Sequence, residues 1–164
     1  MKSPASSRTR SLRSAVLGIW RLKSRVDVDS SGRRLVDPAL GSDPLGMLCF
    51  SPGHFAAQFM KRDRSATTAM PAPPQGGNNS SAINGYDAYF GTYTLEESTQ
   101  TLRVRLEGAL SPSNIGAEFE RSVHAGDDEL IISLPTTAAD GTPVTRTLTF
   151  SRLGKQEVEG RGGP

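Results

Sequence analysis

Cysteine, long apolar segments and clusters of metal-ligating side chains are nearly absent from this 164-residue chain. Its single cysteine, Cys49, cannot form an internal disulfide, so the sequence does not indicate a secreted, disulfide-bridged scaffold, and a cytoplasmic location is expected. No apolar run approaches the roughly 20 residues that a membrane span needs, so no membrane partner is expected. His54 and His124 are too far apart to form a zinc site with one cysteine, and no metal is predicted.

Nucleotide-binding patterns are also missing. The chain has no Gly-x-x-x-x-Gly-Lys, no Gly-x-Gly-x-x-Gly and no Gly-x-Ser-x-Gly segment, so no cofactor is expected. The net charge is only +2, and the basic residues either lie near the N-terminus or alternate with apolar residues. Nucleic-acid-binding domains usually concentrate Lys and Arg on one face, with aromatic residues for stacking. A nucleic-acid partner is therefore not predicted.

Turn-forming residues and alternating apolar residues are abundant. The 17 glycines and 11 prolines predict many turns and loops, and no segment has a helical period over three turns. Apolar and polar residues alternate with the period of two that is typical of half-buried strands. Many short strands at regular spacing indicate a sandwich or a barrel. The predicted strands are 20–28, 46–50, 54–60, 89–95, 101–107, 118–124, 129–134 and 144–153.

The composition divides the chain into one domain with polar ends. Residues 1–15 are rich in Arg and Ser and predict a disordered basic tail, with a mitochondrial transit peptide as the alternative. Residues 16–153 form the predicted domain. Within it, residues 65–84 are rich in Pro, Gly, Asn and Ser, which predicts a flexible loop. Residues 154–164 predict a second disordered tail.

Three segments in order resemble the lipocalin-like domain proteins of bacteria and fungi. They are the opening Gly18-x-Trp20, the stretch from Pro44-Leu45-Gly46 through Gly53-His54-Phe55, and Tyr89-Phe90-Gly91-Thr92-Tyr93 followed by Pro112-x-Asn114-x-Gly116. The resemblance implies an all-β, antiparallel up-and-down β-barrel of the calycin type, with little helix. It also implies that Trp20 closes one end of the barrel beneath Arg152, both with structural roles.

The resemblance further implies that the barrel takes a small, largely apolar or aromatic metabolite. One reading is a cofactor-free cyclase or isomerase of secondary-metabolite biosynthesis, and the alternative is a non-catalytic binding or carrier protein. A third reading is a solidly packed interaction scaffold. Many family members carry a His-His pair where this chain has Val104 and Arg105, so that chemistry cannot be transferred here. A homo-oligomer is compatible with each reading.

Arg121 is the first candidate site residue, because it shares a strand face with Phe119 and a charge on an apolar face needs a partner. Glu107 is the predicted partner. The predicted catalytic roles are Arg121 as carbonyl stabiliser, Glu107 or His54 as proton acceptor, and Tyr89 as proton donor. The predicted ligand-binding residues are Tyr93, Phe119, Arg105, Asn114 and Phe55.

The inward face is predicted for one strand and left open for another. In 20–28, the alternation predicts that Trp20, Val26 and Val28 face inward, with Arg25 and Asp27 outward. In 101–107, the residue pattern favours an inward apolar face, whereas the family resemblance favours an inward polar face carrying Arg105 and Glu107. Acid–base chemistry in the lumen depends on the second choice: if Glu107 and His54 both point outward, a binding protein is favoured.

Overall fold

The computed structural model describes residues 10–65 and 82–154, and β-strands account for most of them. A short helix precedes the first strand, and a single 3-10 turn lies between the sixth and seventh. The elements are α1 Leu12–Val16, β1 Gly18–Asp29, β2 Arg34–Leu35, β3 Leu45–Ser51, β4 His54–Met60, β5 Tyr86–Glu96, β6 Thr101–Ala109, the 3-10 turn Pro112–Asn114, β7 Glu118–Ala125, β8 Glu129–Thr137 and β9 Pro143–Arg152.

The strands form one closed antiparallel barrel. Strands β3 to β9 are each paired with the next along the chain, and β1 pairs with both β3 and β9, which closes the sheet with eight strands. Strand β2 is an extra two-residue strand paired with the end of β1. Within the described ranges, α1 and the 3-10 turn are the helical elements, and neither is long and apolar enough to cross a membrane. The predicted all-β up-and-down barrel is confirmed.

Alternation along β6 shows how the sequence builds the barrel wall. Leu102, Val104 and Leu106 are almost completely buried, so the apolar face of this strand points inward. On the outer face, Arg103 and Arg105 form ion pairs with acidic residues of β7. The inward polar face suggested by the family resemblance is therefore wrong for this chain. Burial of three aliphatic side chains lowers the free energy of the fold, whereas burial of unpaired charged side chains would raise it.

The predicted faces of β1 are wrong after its first third. Trp20 and Leu22 point inward as expected, but the pairing of β1 with β9 shifts by one residue between Leu22 and Ser24. A bulge of this kind turns every later side chain to the opposite face. As a result, the side chains of Arg25 and Asp27 are buried, whereas the valines that alternate with them are only half-buried.

The folded part begins earlier than predicted. Helix α1 starts at Leu12, Ser11 caps it by accepting a hydrogen bond from the Ser14 amide, and Ala15 is buried, so the predicted tail 1–15 overlaps an ordered element. The predicted loop 65–84 also overlaps described residues, because Ala82 is buried and Ile83 forms a β-bridge with Tyr86. The rest of that loop and nearly all of the C-terminal tail lie outside the described residues.

Candidate functional site

The middle of the barrel lumen is mostly apolar and almost filled. Five aromatic rings meet in it: Phe50 contacts Phe55 and Tyr93, and Tyr89 contacts Phe55 and Phe59, with centroids 5.0–6.3 Å apart. The cavity left between the described side chains has a volume of about 10 Å³, which is roughly the space of one water molecule. Among the described residues, the cavity between these side chains is too small for a metabolite.

Five of the predicted site residues lie on this lumen, and one of them is Tyr93, whose ring contacts Phe50. Phe55 and Tyr89 are buried in its wall, and Arg121 is 8% exposed beside them. The guanidinium of Arg121 lies 6.0 Å from the ring centroid of Tyr89 and 5.8 Å from that of Phe119. Phe119 itself is half-buried. The structure therefore places five predicted site residues in one group: Arg121, Tyr89, Phe119, Phe55 and Tyr93.

The other predicted acid–base and polar residues do not join them. Glu107 and Arg105 are exposed on the outer face of β6, and Arg105 pairs with Glu118 at 2.9 Å. His54 is exposed at the start of β4, where its Nδ1 lies 3.2 Å from the carbonyl oxygen of Pro52. Asn114 ends the 3-10 turn outside the strands. The predicted Arg121–Glu107 pair is therefore wrong, because the two side chains lie on opposite sides of the barrel wall.

One end of the barrel is closed by Trp20 and Arg152. The indole of Trp20 is fully buried and donates a hydrogen bond of 2.8 Å to the carbonyl oxygen of Val16. Arg152 lies over the indole ring, with its guanidinium carbon 4.0 Å from the centroid, and donates to the carbonyl oxygens of Ala15 and Leu17 at 2.7 Å. The structural roles expected for Trp20 and Arg152 match this geometry.

A cleft of about 580 Å³ opens at the same end. It lies between the N-terminal segment, the β3–β4 turn and the neighbouring ends of β5 and β6. Leu17, Tyr93 and Leu95 provide apolar surface, and Arg13, Arg103 and Glu96 provide charges of both signs. Burial raises the pKa of the Tyr93 phenol, and a backbone hydrogen bond from Gly53 partly opposes this rise. The volume is in the range of roughly 300–1,000 Å³ that is usual for small-molecule sites.

A family model described as a lipocalin-like domain matches residues 17–153. The chain belongs to the lipocalin-like domain family. The match covers the whole barrel, from the residue before β1 to the residue after β9. No curated protein matches the chain. The resemblance seen in the three sequence segments is confirmed for the family and the fold.

The opposite end of this lipocalin-like barrel carries a buried group of charged residues. Arg146 of β9 donates two hydrogen bonds, of 2.8 and 2.7 Å, to the carboxylate of Asp27 on β1. Arg25 of β1 donates at 2.7 Å to Asp37, which lies on the loop between β2 and β3. All four side chains are at most 11% exposed. Buried charges are tolerated where they are paired and hydrogen-bonded in this way.

Asp87 lies on the inner face of β5 near this group and is itself buried. Burial raises the pKa of its carboxyl group to about 6. The negative charge of Asp37 adds to this rise, and the positive charges of Arg25 and Arg121 oppose it. Arg121 therefore acts on an inward carboxylate, as the sequence predicts, but the residue is Asp87 instead of Glu107. The lumen thus has an apolar middle and a charged end.

Sequence reasoning missed this charged group, although a signal for part of it was present. Arg146 alternates with Val144 and Leu148, and Asp87 alternates with Tyr89, which is the same pattern that identified Arg121. Applied throughout, the rule of a charge on an apolar face would have found both residues. Asp37 gives no comparable signal, because it lies in a loop whose position depends on the tertiary fold.

Proposed function

We propose that this lipocalin-like protein is a non-catalytic binding or carrier protein for a small, largely apolar or aromatic molecule. The observation that carries the proposal is the cleft of about 580 Å³ at the Trp20 end, which has apolar surface and a charged rim. Because side chains fill the lumen, the cleft is the place where we expect the ligand to bind. Tyr93 joins the two regions, because it lines the cleft while its ring contacts Phe50 at 5.0 Å. A cytoplasmic location is part of the proposal.

The positions of the acid–base residues favour binding over a cyclase or isomerase activity. A general base must come within hydrogen-bonding distance of the proton that it removes. Glu107 and His54, the predicted proton acceptors, are both exposed on the outside of the barrel. Arg121 and Tyr89 lie inside, where the remaining cavity has a volume of only about 10 Å³. Among the described residues, the predicted catalytic set is therefore split by the barrel wall.

The ligand expected for the cleft has an aromatic or aliphatic body and a polar or anionic group. The body would pack on Leu17, Tyr93 and Leu95, since burial of apolar surface provides most of the affinity of such sites. The polar group would face the rim, where Arg13 and Arg103 supply positive charge. Both arginines already form ion pairs, Arg13 with Glu97 and Arg103 with Glu120, so the ligand would share these cations with existing partners.

The cleft can be tested with the dye 1-anilinonaphthalene-8-sulfonate, an anionic aromatic probe. Thr94 is an exposed residue of β5 that lines the cleft, and Thr94→Trp should fill it and weaken dye binding by about tenfold or more. Thr145→Trp is the matched control, because Thr145 is an exposed strand threonine on β9, away from the cleft. Equal dye affinity in the two variants, with unchanged circular dichroism, would overturn the proposal.

A further inference from the structure

The outer face of the barrel wall differs between neighbouring strands. On β6 and β7, Arg103 and Arg105 form exposed ion pairs with Glu120 and Glu118. On β3, on β4 and on β5 as far as Thr92, the outward side chains include no carboxylate, ammonium or guanidinium group. Three adjacent strands therefore expose a continuous face without ion pairs.

An apolar patch occupies this uncharged face. The register places Ile19, Cys49, Ala56 and Phe90 side by side on four neighbouring strands. The next row of the same face begins with Met47 on β3 and ends beyond β6, where the amide of Leu110 donates a hydrogen bond of 2.7 Å to the carbonyl oxygen of Ala88. The outer patch consists of six residues: Ile19, Met47, Cys49, Ala56, Phe90 and Leu110.

Phe90 is the most exposed member of the outer patch, and its ring is held in place. The ring lies on Gly108, its register partner on β6, because a Cβ atom at that glycine would clash with the ring carbons. An aromatic side chain that its own barrel already positions loses little conformational entropy when a partner covers it. Phe90 is therefore suited to be the anchor of an interface.

The size of the outer patch is suited to a protein–protein interface. Its four largest side chains are 39–55% exposed, so the patch leaves about 400 Å² of apolar surface in water, and patches of this size are often functional. A stable interface takes about 800 Å² from each partner, of which about 65% is apolar in homodimers. The patch therefore supplies most of the apolar part of one such interface.

Two margins of opposite charge flank the outer patch. Arg21 and Lys23 are exposed on its β1 side, and Glu107 is exposed on its β6 side. None of the three forms an ion pair with another residue in the described part of the chain. When two copies meet through this face, a two-fold axis across the strands would bring the basic margins together. An axis along β4 instead brings the basic margin of each copy to the acidic margin of the other.

We propose that the outer patch is the interface of a homodimer, in which two copies pack face to face about a two-fold axis along β4. Ala56 lies at this axis, and its small side chain lets the two walls approach closely. Phe90 of each copy packs against Met47 and Cys49 of the other, where ring and sulfur atoms make favourable contacts. The opposite charges of the margins fix the orientation of the two copies.

This interface goes beyond the proposed function, because the outer patch and the cleft share no residue. Sedimentation equilibrium of the full chain tests it. At about 100 µM, the protein should sediment with twice the 17.5 kDa mass of one chain, with a dissociation constant of about 10 µM or less. A wild-type protein that is monomeric at about 1 mM would overturn the proposal.

Ala56→Glu tests whether the outer patch is the surface that dimerises. The substitution brings two like charges together at the axis and should raise the dissociation constant by about 100-fold or more. Ala139→Glu is the matched control, because Ala139 is an exposed alanine in the turn between β8 and β9, and it should leave the dissociation constant unchanged. Equal dissociation constants in the two variants would overturn the proposal.

Charge reversal tests the axis along β4. Arg21→Glu and Glu107→Arg, each alone, place like charges at both margins and should weaken the dimer by about tenfold. A chain carrying both substitutions exchanges the two charges, so its dissociation constant should return to within about threefold of the wild-type value. A double variant that dissociates more readily than either single variant would overturn the arrangement.

A measurement on the unsubstituted protein covers the case in which Ala56→Glu does not fold. Cys49 is half-buried within the outer patch, so dimerisation should shield its thiol from a reagent in solution. With iodoacetamide in excess, the rate of alkylation should fall by about threefold or more as the protein concentration rises from about 1 µM to about 200 µM. An alkylation rate that does not depend on protein concentration would overturn the proposal.

Discussion

Arg152 fastens the N-terminal segment to the closed end of the barrel through Trp20. Its guanidinium lies 4.0 Å from the centroid of the indole ring. It also donates hydrogen bonds to the carbonyl oxygens of Ala15, Leu17 and Asp127. One side chain from the last strand therefore joins the N-terminal segment and the β7–β8 turn while covering the aromatic plug. Two predictions about stability follow from this arrangement.

Trp20→Ala should destabilise the protein by about 3–5 kcal/mol, because it removes a fully buried aromatic side chain and leaves a cavity. Denaturation by urea, followed by circular dichroism, measures the change. Ile19→Ala is the control, since Ile19 is adjacent in sequence but 47% exposed on the outer face, and it should cost less than about 1 kcal/mol. Near-normal stability of Trp20→Ala would show that this residue does not close the barrel.

Arg152→Lys should lower the free energy of unfolding by about 1–3 kcal/mol. A lysine keeps the charge but cannot direct several planar N–H groups at three carbonyl oxygens at once. Arg103→Lys serves as the comparison, because Arg103 forms an exposed ion pair with Glu120, and such pairs contribute about 0–1 kcal/mol. Equal effects of the two substitutions in chemical denaturation would contradict the role given to Arg152.

Asp87 should make the unfolding free energy depend on pH between about 4 and 7. Its pKa is about 6 in the folded protein against an ordinary value of 3.8, so between these values the folded state holds a proton that the unfolded chain has lost. The resulting stability is fully present below the unfolded pKa and is lost as the pH rises through the folded pKa. Relative to Asp87→Asn, the wild type should lose about 3 kcal/mol over this interval. Parallel stability curves for the two proteins would refute the assignment.

Arg121→Met should raise the pKa of Asp87 further, because the attraction of the guanidinium stabilises the ionised carboxylate. Carbon-13 NMR titration of the aspartate carboxyl groups measures this shift directly. Arg103→Met removes an arginine from the outer face of β6 and should leave the Asp87 titration unchanged. If the Arg121 substitution also leaves it unchanged, Arg121 does not act on Asp87.

The alternation of apolar and polar residues alone predicts much of the architecture. All eight predicted strands are strands of the barrel, because a wall with one apolar face gives a clear period of two. The same rule placed Arg121 inside the barrel. For β6 it favoured the apolar face, which is the inward one in the structure, although the family pattern had left the choice open. It failed in β1 after the bulge near Lys23, because the one-residue shift there reverses the faces and alternation alone does not reveal a bulge.

The sequence by itself determined the fold family, the strands and the aromatic plug at Trp20, since these depend on local periodicity and short motifs. The tertiary structure alone decided where charges meet. Arg25, Asp27, Asp37 and Arg146 come from two strands and a loop, and their pairing depends on a one-residue shift in β1 and on barrel closure between β1 and β9. An ion pair forms only where the two charged groups lie within about 4 Å of each other. Local sequence patterns do not encode this distance for residues that are far apart in the chain.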